Sequence, residues 1–332
     1  MRTLTLLIRA ALITGMALAG TAHAENLSAD TDEPKADKFP LSAGASISYR
    51  FGHANFIESK GDFGSQTLSV SPNLGYTLTD KIGLGFSIGA SKALDTSYFY
   101  SGTASKNVKA PWEISDISFS ASYGGFYTIP KVNIKMSSSL GLSVPMSKTS
   151  RAAGRILVAS PGLSLGWKAG SFSVGAGFGY TYFLNQSATY QVDCGVYQEV
   201  CDKQYLGSSE TGIANPLHNL STSLSLGYSL KPIPVSLSVR YGLSNGASAV
   251  SGVSDEFTVD NAQVGTQWGL GGQSFGASVR YAFLPKASLS FSYSVGGGVY
   301  TNDNERYRLP FFDFESQLRN RVSYGVSLSA SL

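Results

Sequence analysis

Few side chains in this sequence could do chemistry, because only 14% of its 332 residues are charged. Six basic residues stand out, since each falls on the small, polar phase of a segment whose alternate positions are aliphatic or aromatic. A guanidinium group presents a planar fork that suits carboxylate or sulfate, and a constriction lined with such groups favours anions. The six candidate selectivity residues are Arg50, Lys135, Arg240, Arg280, Arg319 and Arg321.

A structural role for these bases is the alternative. Asp313 and Glu315 share the phase of the last two arginines, and two further acids, Glu113 and Asp116, lie on an earlier segment. Ion pairs between such groups would fill the interior that the segments enclose, and they would have no role in the passage of a solute. The sequence leaves the structural role and the transport role open.

Hydrolytic chemistry has little support in the sequence. His53 and His218 could each act as a general base beside a serine. The pattern Gly-x-Ser-x-Gly occurs at 85–89 and at 162–166, but a nucleophile elbow requires a strand-to-helix turn. Both matches continue an alternating segment instead. We therefore predict no catalytic residue and no cofactor-binding residue.

The two cysteines, Cys194 and Cys201, lie close together in the chain. In an oxidising compartment such a pair forms a local disulfide. A metal site is not predicted, because two thiols without a nearby histidine make an incomplete ligand set. The loop at 186–216 carries both cysteines. It is either a gate or recognition element, or a surface loop braced against proteolysis.

The segments that must position these residues have the period of a β-strand. Apolar residues alternate with Gly, Ser or Thr, for example over 82–91, 172–182 and 223–230. A soluble sandwich with one wet face also alternates. The first two of these runs, however, reach the roughly 9–11 residues that a tilted strand needs to cross a bilayer. Their polar phase is Ser and Gly rather than Lys and Glu, and aromatic residues cluster near segment ends, as in the girdles of membrane barrels.

Connection lengths give the strand count. Short Pro- or Gly-containing turns fall at 79–81, 129–131, 168–170, 231–234 and 284–286, and longer polar loops fall at 58–64, 95–112, 148–154, 186–216, 246–262 and 302–312. Five short turns alternating with six long loops require twelve strands. They are predicted at 42–57, 65–78, 82–95, 113–129, 131–147, 155–168, 171–185, 217–230, 233–245, 263–283, 287–301 and 313–331.

The tenth predicted strand changes phase. Trp268 is out of phase with Phe275, so we predict a bulge near Gly271-Gly272. Because the last strand must adjoin the first on closure, most of the candidate arginines fall on one arc of the wall. Counting residues from the short turns places Arg50, Arg240 and Arg321 near mid-height.

The amino terminus predicts export. Residues 1–24 have the apolar run and the Ala22-His23-Ala24 cleavage site of a secretory signal peptide, and 25–40 reads as a flexible, acidic periplasmic tail. Loss of 1–24 leaves 23 basic and 22 acidic residues, so a nucleic-acid partner is not expected. The remaining chain has no apolar run of about 18 residues, so it must cross a membrane as strands closed into a barrel.

The signal peptide, the alternating strands and the carboxy-terminal strand over 322–332 resemble the bacterial outer-membrane β-barrel superfamily. This resemblance covers 41–332 and implies an all-β, closed antiparallel transmembrane barrel in the outer membrane. It also implies short periplasmic turns, long extracellular loops, contact with outer-membrane lipid, and insertion by the barrel-assembly machinery.

Three functions are compatible with such a barrel. The first is a porin-like channel for small hydrophilic solutes, with anions favoured, similar in architecture to twelve-stranded oligosaccharide channels with arginine-lined lumens. The second is a lipid hydrolase resembling the phospholipase A and lipid A deacylase barrels, which place a Ser–His pair on the outer wall. The third is a plugged structural or recognition barrel. We expect the channel, and no enzyme.

Overall fold

The computed structural model describes residues 40–52, 65–96, 111–187, 189–193, 208–250, 265–269, 272–298 and 321–331. These residues form strands and one short helix, α1, at Lys148–Ala152. The strands are β1 Leu41–Gly52, β2 Ser65–Thr77, β3 Ile82–Ser87, β4 Ala90–Thr96, β5 Glu113–Ile114, β6 Ile117–Ile129, β7 Ile134–Val144, β8 Arg155–Ala169, β9 Phe172–Asn185, β10 Thr189–Asp193, β11 Ser208–Ala214, β12 Pro216–Leu230, β13 Val235–Val250, β14 Gly265–Gly269, β15 Gly272–Leu284, β16 Ala287–Gly298 and β17 Arg321–Ser331.

One antiparallel sheet closes on itself, because β1 pairs with both β17 and β2. Three of its strands are continuations of a neighbour in sequence: β4 of β3, β5 of β6 and β14 of β15. The described sheet therefore has twelve positions, and the predicted closed twelve-stranded barrel is confirmed. Closure leaves no open sheet edge, as a lipid environment requires. β10 and β11 form a separate hairpin in the predicted 186–216 loop.

The two ends of the barrel differ. At one end, here the short-turn end, strands are joined by 78–81, 130–133, 170–171, 231–234 and 285–286. The opposite, long-loop end has the longer connections, as predicted. Among the described residues, no helix is long and apolar enough to cross a membrane.

Backbone pairing shows that the strands tilt strongly around the barrel. We call a set of residues joined by successive Cα pairings a row. One row starts at Arg50, near the long-loop end of β1, and reaches Lys168, at the short-turn end of β8. Its members are Arg50, Gly325, Ser292, Ser278, Ser238, Gly227, Ser173 and Lys168. This slope is the stagger that closes a barrel.

The outer wall is apolar. Large side chains such as Phe178, Leu224 and Phe291 are 52%, 61% and 52% exposed, respectively. They alternate with small residues on the opposite face of the same strands, as the sequence pattern predicts. A continuous band of exposed aliphatic and aromatic groups is suited to lipid rather than water.

Local irregularities interrupt three strands. The break between β3 and β4 faces the break between β5 and β6, where Ser115 N–H donates to the Gly89 carbonyl at 2.8 Å. The predicted bulge in the tenth strand is present. Leu243 pairs with Gln273, and Gly246 pairs with Gly269. The chain advances three residues along β13 but four residues from Gly269 to Gln273, so the tenth strand has one extra residue here.

Some predicted features lie outside the described residues. These are the signal peptide 1–24, the tail 25–39, the far part of the first strand at 53–57, and residues 313–320 of the last. The first described strand, β1, begins at Leu41.

Candidate solute passage

The inner face of the barrel is lined mainly by serine and glycine. Hydroxyls pair across strands, with Ser238 Oγ 2.7 Å from Ser278 Oγ and Ser294 Oγ 2.7 Å from Ser323 Oγ. A Cβ at Gly325 would lie 2.7 Å from Ser292 Oγ, so a larger residue at this position would displace that hydroxyl. Small side chains leave space inside the wall and present hydrogen-bonding groups to whatever fills it.

Four consecutive rows on one arc of this wall each contain one arginine. We call this arrangement the arginine ladder. From the long-loop side, its rows are Gly242–Ser274–Gly296–Arg321, Arg240–Gly276–Ser294–Ser323–Gly52, Ser238–Ser278–Ser292–Gly325–Arg50 and Ser236–Arg280–Ser290–Ser327–Ser48. The other members of these rows are serine or glycine. The arc runs over β13, β15, β16, β17 and β1, where the sequence predicts that most of the arginines gather.

The arginines of the ladder differ in their surroundings. Arg50 and Arg280 are exposed although they share the inner face with the serines, so there is open space beside them inside the barrel. Arg240 is half-buried, and its Nη2 donates to Ser223 Oγ at 3.3 Å. Arg321 begins β17 with its Cα opposite Gly296, and only this backbone position is described.

Lys135 lies on the opposite part of the wall but in line with the ladder. The row of Arg240 continues through Ser225, Gly175 and Gly166 to Lys135 at the short-turn end of β7. Lys135 is exposed on the inner face. The wall therefore carries positive charge on both sides of the interior.

Acidic residues are absent from the four rows of the arginine ladder. In the described ranges, they belong to a turn, a strand end or the loop hairpin: Asp80, Asp95, Glu113, Asp116, Asp193 and Glu210. Neither Arg50 nor Arg280 has a carboxylate oxygen within 4.0 Å among the residues described. Arg319, Asp313 and Glu315 lie outside those residues, as do His53, Cys194 and Cys201, so the disulfide stays a prediction.

The long-loop end contains a polar cluster that the sequence did not predict. We call it the α1 junction: Asp116, Ser147, Ser150, Arg155 and Asn215. Ser147 caps α1 by accepting from Ser150 N–H at 3.2 Å. Asp116 accepts from Ser147 N–H at 2.8 Å and from Ser150 Oγ at 2.5 Å. Arg155 Nη1 donates to Ser150 Oγ at 3.2 Å, and buried Asn215 donates to the Ala153 carbonyl at 2.8 Å.

These bonds change the acidity of Asp116. Burial raises the pKa of its carboxyl, but hydrogen bonds from Ser150, Ser147 and Met146 outweigh burial and hold the pKa below its ordinary value. Asp116 is therefore an anion that ties the loop before β8 to the start of β6. The capping residue Ser147 is the one local signal in the sequence that could have indicated α1.

His218 lies on the outer wall in an aromatic cluster. Its Nδ1 is 2.6 Å from the Tyr180 hydroxyl, and its ring is 5.8 Å from that of Tyr180 and 5.4 Å from that of Tyr182. Ser87 and Ser164 of the two Gly-x-Ser-x-Gly matches lie within β3 and β8, paired on both sides. Neither match is a strand-to-helix turn. Within the described residues, no three His, Cys, Asp or Glu side chains are grouped to hold a metal.

Known proteins resemble this chain in structure. No protein-family model matches the chain, and no curated protein matches it. An outer membrane channel from Pseudomonas putida F1 has a similar structure, with a TM-score of 0.54 and 13% identity over 92% of this chain and 100% of that chain. The KdgM porin in complex with disordered oligogalacturonate matches at a TM-score of 0.41 and 9% identity over 86% of this chain and 99% of that chain. Salmonella typhi OmpF matches at 0.37 and 7% identity over 87% and 96%, respectively. The fold is thus shared with the outer membrane channel from Pseudomonas putida F1.

Proposed function

We propose that this protein is an outer-membrane channel through which small hydrophilic solutes, preferentially anions, diffuse passively. The observation that carries the proposal is the arginine ladder, with Arg50 and Arg280 exposed on the inner face of a closed barrel. An inner side chain can be exposed only where the interior has open space. The space beside these guanidinium groups is the proposed path.

The charge on the wall supports selectivity for anions. Arg50, Arg240, Arg280 and Lys135 are basic, and neither Arg50 nor Arg280 has a carboxylate oxygen within 4.0 Å among the described residues. Inside a narrow, low-dielectric wall, charges of one sign raise the local concentration of the opposite ion. Serine hydroxyls around the arginines replace part of the hydration shell of a passing anion without binding it tightly, as conduction requires.

The proposed location follows from the outer wall. Its apolar band suits the hydrocarbon of a bilayer, and closed barrels of this kind are built for the bacterial outer membrane. A signal peptide at 1–24 would direct export, and the barrel-assembly machinery would insert the chain among outer-membrane lipids. The fold shared with the Pseudomonas putida F1 channel agrees with this proposal.

The test is ion selectivity of the purified barrel in a planar bilayer. Reversal potentials in a salt gradient should show preference for chloride over potassium. The double variant Arg50→Gln, Arg240→Gln should move the reversal potential toward zero, because two charges leave the wall while its shape changes little. Arg50→Lys, Arg240→Lys is the matched control, since it keeps both charges and should keep the preference.

Two outcomes would contradict the proposal. A barrel that is folded by heat-modifiability but passes no current would favour the plugged barrel. In that case, Arg50→Gln should lower stability without changing any permeability. An open barrel whose selectivity is the same in the glutamine variant would leave a channel but remove the arginines from its selectivity.

A further inference from the structure

The short-turn end of the barrel carries one lysine at or beside each of its five turns. The lysines are Lys81, Lys131, Lys168, Lys231 and Lys286. All five are exposed, and none has a carboxylate oxygen within 4.0 Å among the described residues. The one described acid in these turns is Asp80. We call these five residues the lysine ring.

Among the described residues, the opposite end has a smaller excess of positive charge. At the long-loop end, the described bases Lys92, Lys148, Arg151 and Arg155 are accompanied by Asp95, Glu113 and Asp116, and Lys148 Nζ lies 3.8 Å from Glu113 Oε1. The described part of the barrel is therefore electrostatically polar along its axis. Net positive charge is concentrated at the mouth formed by the short turns.

We infer that the lysine ring gathers anions at the short-turn mouth and so makes the channel conduct asymmetrically. This inference rests on the proposed function and adds a second element to it, outside the arginine ladder. Lys168 connects the two elements, since it lies on the row of Arg50, on the inner phase of β8. Exposed ammonium groups attract phosphate and carboxylate without the fixed geometry of a binding site.

Salt screening gives the effect a signature. Exposed charges act over about 30 Å at about 0.01 M salt but over only about 3 Å at about 1 M. At low salt, the ring should enrich anions at one mouth, so that currents at equal and opposite voltages differ by about two-fold. At high salt, the two currents should become equal. The arginine ladder, enclosed by the wall, is screened less and keeps its selectivity.

The experiment compares single-channel currents of the wild-type barrel with those of one five-fold variant. This variant combines Lys81→Gln, Lys131→Gln, Lys168→Gln, Lys231→Gln and Lys286→Gln. The five-fold variant should lose the asymmetry at low salt and keep its preference for chloride. The triple variant Lys131→Gln, Lys231→Gln, Lys286→Gln should lose about half of the asymmetry, and serves if the five-fold variant does not fold. The matched control, Lys92→Gln with Arg151→Gln, removes two charges from the other end and should not reduce the asymmetry.

Each result is decisive. An anion-selective wild-type barrel whose asymmetry is unchanged in the five-fold variant overturns the lysine ring and leaves the proposed function standing. A silent barrel overturns both. The anion that the lysine ring attracts could also be the phosphate of a lipid headgroup. The currents are therefore recorded in neutral phosphatidylcholine and in bilayers containing phosphatidylglycerol. An asymmetry present only with the anionic lipid overturns the inference and assigns the lysines to lipid phosphate.

Discussion

The hydroxyl of Ser150 donates to the carboxylate of Asp116 at 2.5 Å, across two loops at the long-loop end of the barrel. This bond joins a residue of α1 to the break before β6, which are separated by 34 positions in the chain. Met146 and Ser147 add backbone donors to the other oxygen of the same carboxylate, at 2.9 Å and 2.8 Å. The loops around α1 are thus held by one ionised group.

Replacement of Asp116 by Asn should destabilise the barrel in a pH-dependent way. The native pKa lies below the ordinary value, so the carboxylate contributes stability above the unfolded pKa of about 3.9 and loses it as the pH falls through the native pKa. At pH 7, we expect a loss of about 1–2 kcal/mol, since charged hydrogen bonds partly open to solvent are lost. As the pH falls below 4 toward the native pKa, the difference in stability between wild type and variant should shrink. Urea unfolding in micelles at pH 7 and at a series of lower pH values measures this.

Glu113→Gln is the matched control for Asp116→Asn. Glu113 pairs with Lys148 at 3.8 Å, but both side chains are more than half exposed, at 52% and 54%. Such surface pairs contribute about 0–1 kcal/mol, so the control should unfold nearly as the wild type does. An equal loss in both variants would show that general loop charge, not the bonds to Asp116, stabilises this end.

The barrel could be predicted from the sequence because its signals are local. Alternation of Phe172, Val174 and Ala176 with small residues gives both the strand and its two faces, and the lengths of the connections give the count. The bulge near Gly271 was also visible as a change of phase. The order of the arginines in the ladder could not be predicted. The heights of Arg50 and Arg240 depend on the stagger at which the sheet closes, and no single strand encodes that stagger.

The α1 junction shows the other limit of the sequence. Asp116 and Ser150 carry no common pattern, and Arg155 looks like an ordinary strand-end charge until β8 is placed beside the loops. Likewise, each lysine of the lysine ring stands in a turn of its own, and the five become one feature only when the turns meet at one mouth. Properties that depend on closure of the barrel cannot be inferred from one segment at a time.

Gly125→Ala should destabilise the barrel by about 1 kcal/mol. Gly125 has φ of 54°, in a bulge between Tyr123 and Tyr127, and nothing lies within 4 Å of the position an added Cβ would take. The cost is therefore one of backbone conformation rather than of a clash. Gly276→Ala, at a strand glycine of ordinary φ, is the control and should cost nothing measurable. Equal urea midpoints for the two variants would contradict the argument.

We expect the wild-type barrel to hydrolyse no lipid, so His218→Gln should not change lipid hydrolysis. The imidazole Nδ1 is already bonded to the Tyr180 hydroxyl at 2.6 Å. Its ring stacks on Tyr180 and lies tilted against Tyr182, as interfacial side chains do. Loss of this stacking should cost about 0.5–1.5 kcal/mol. Fatty-acid release from vesicles that contain the barrel measures the activity. Release by the wild type that disappears in His218→Gln would revive the lipid hydrolase hypothesis.

Gly276→Phe should narrow the passage beside the arginine ladder without harming the fold. Gly276 lies between Arg240 and Ser294 in one row of the inner face. An added Cβ would have its nearest contact 3.7 Å away, at the Tyr293 carbonyl oxygen, which is an ordinary distance.

A ring directed into the lumen at this height should lower single-channel conductance about two-fold, because it fills space that small residues leave open. The preference for chloride should persist, since the arginines remain. Ala277→Phe is the matched control: the next residue points to the outer wall, so the same added volume meets lipid and the conductance should not change. If both variants conduct as the wild type does, ions do not pass beside the ladder, and the path must lie along another part of the wall.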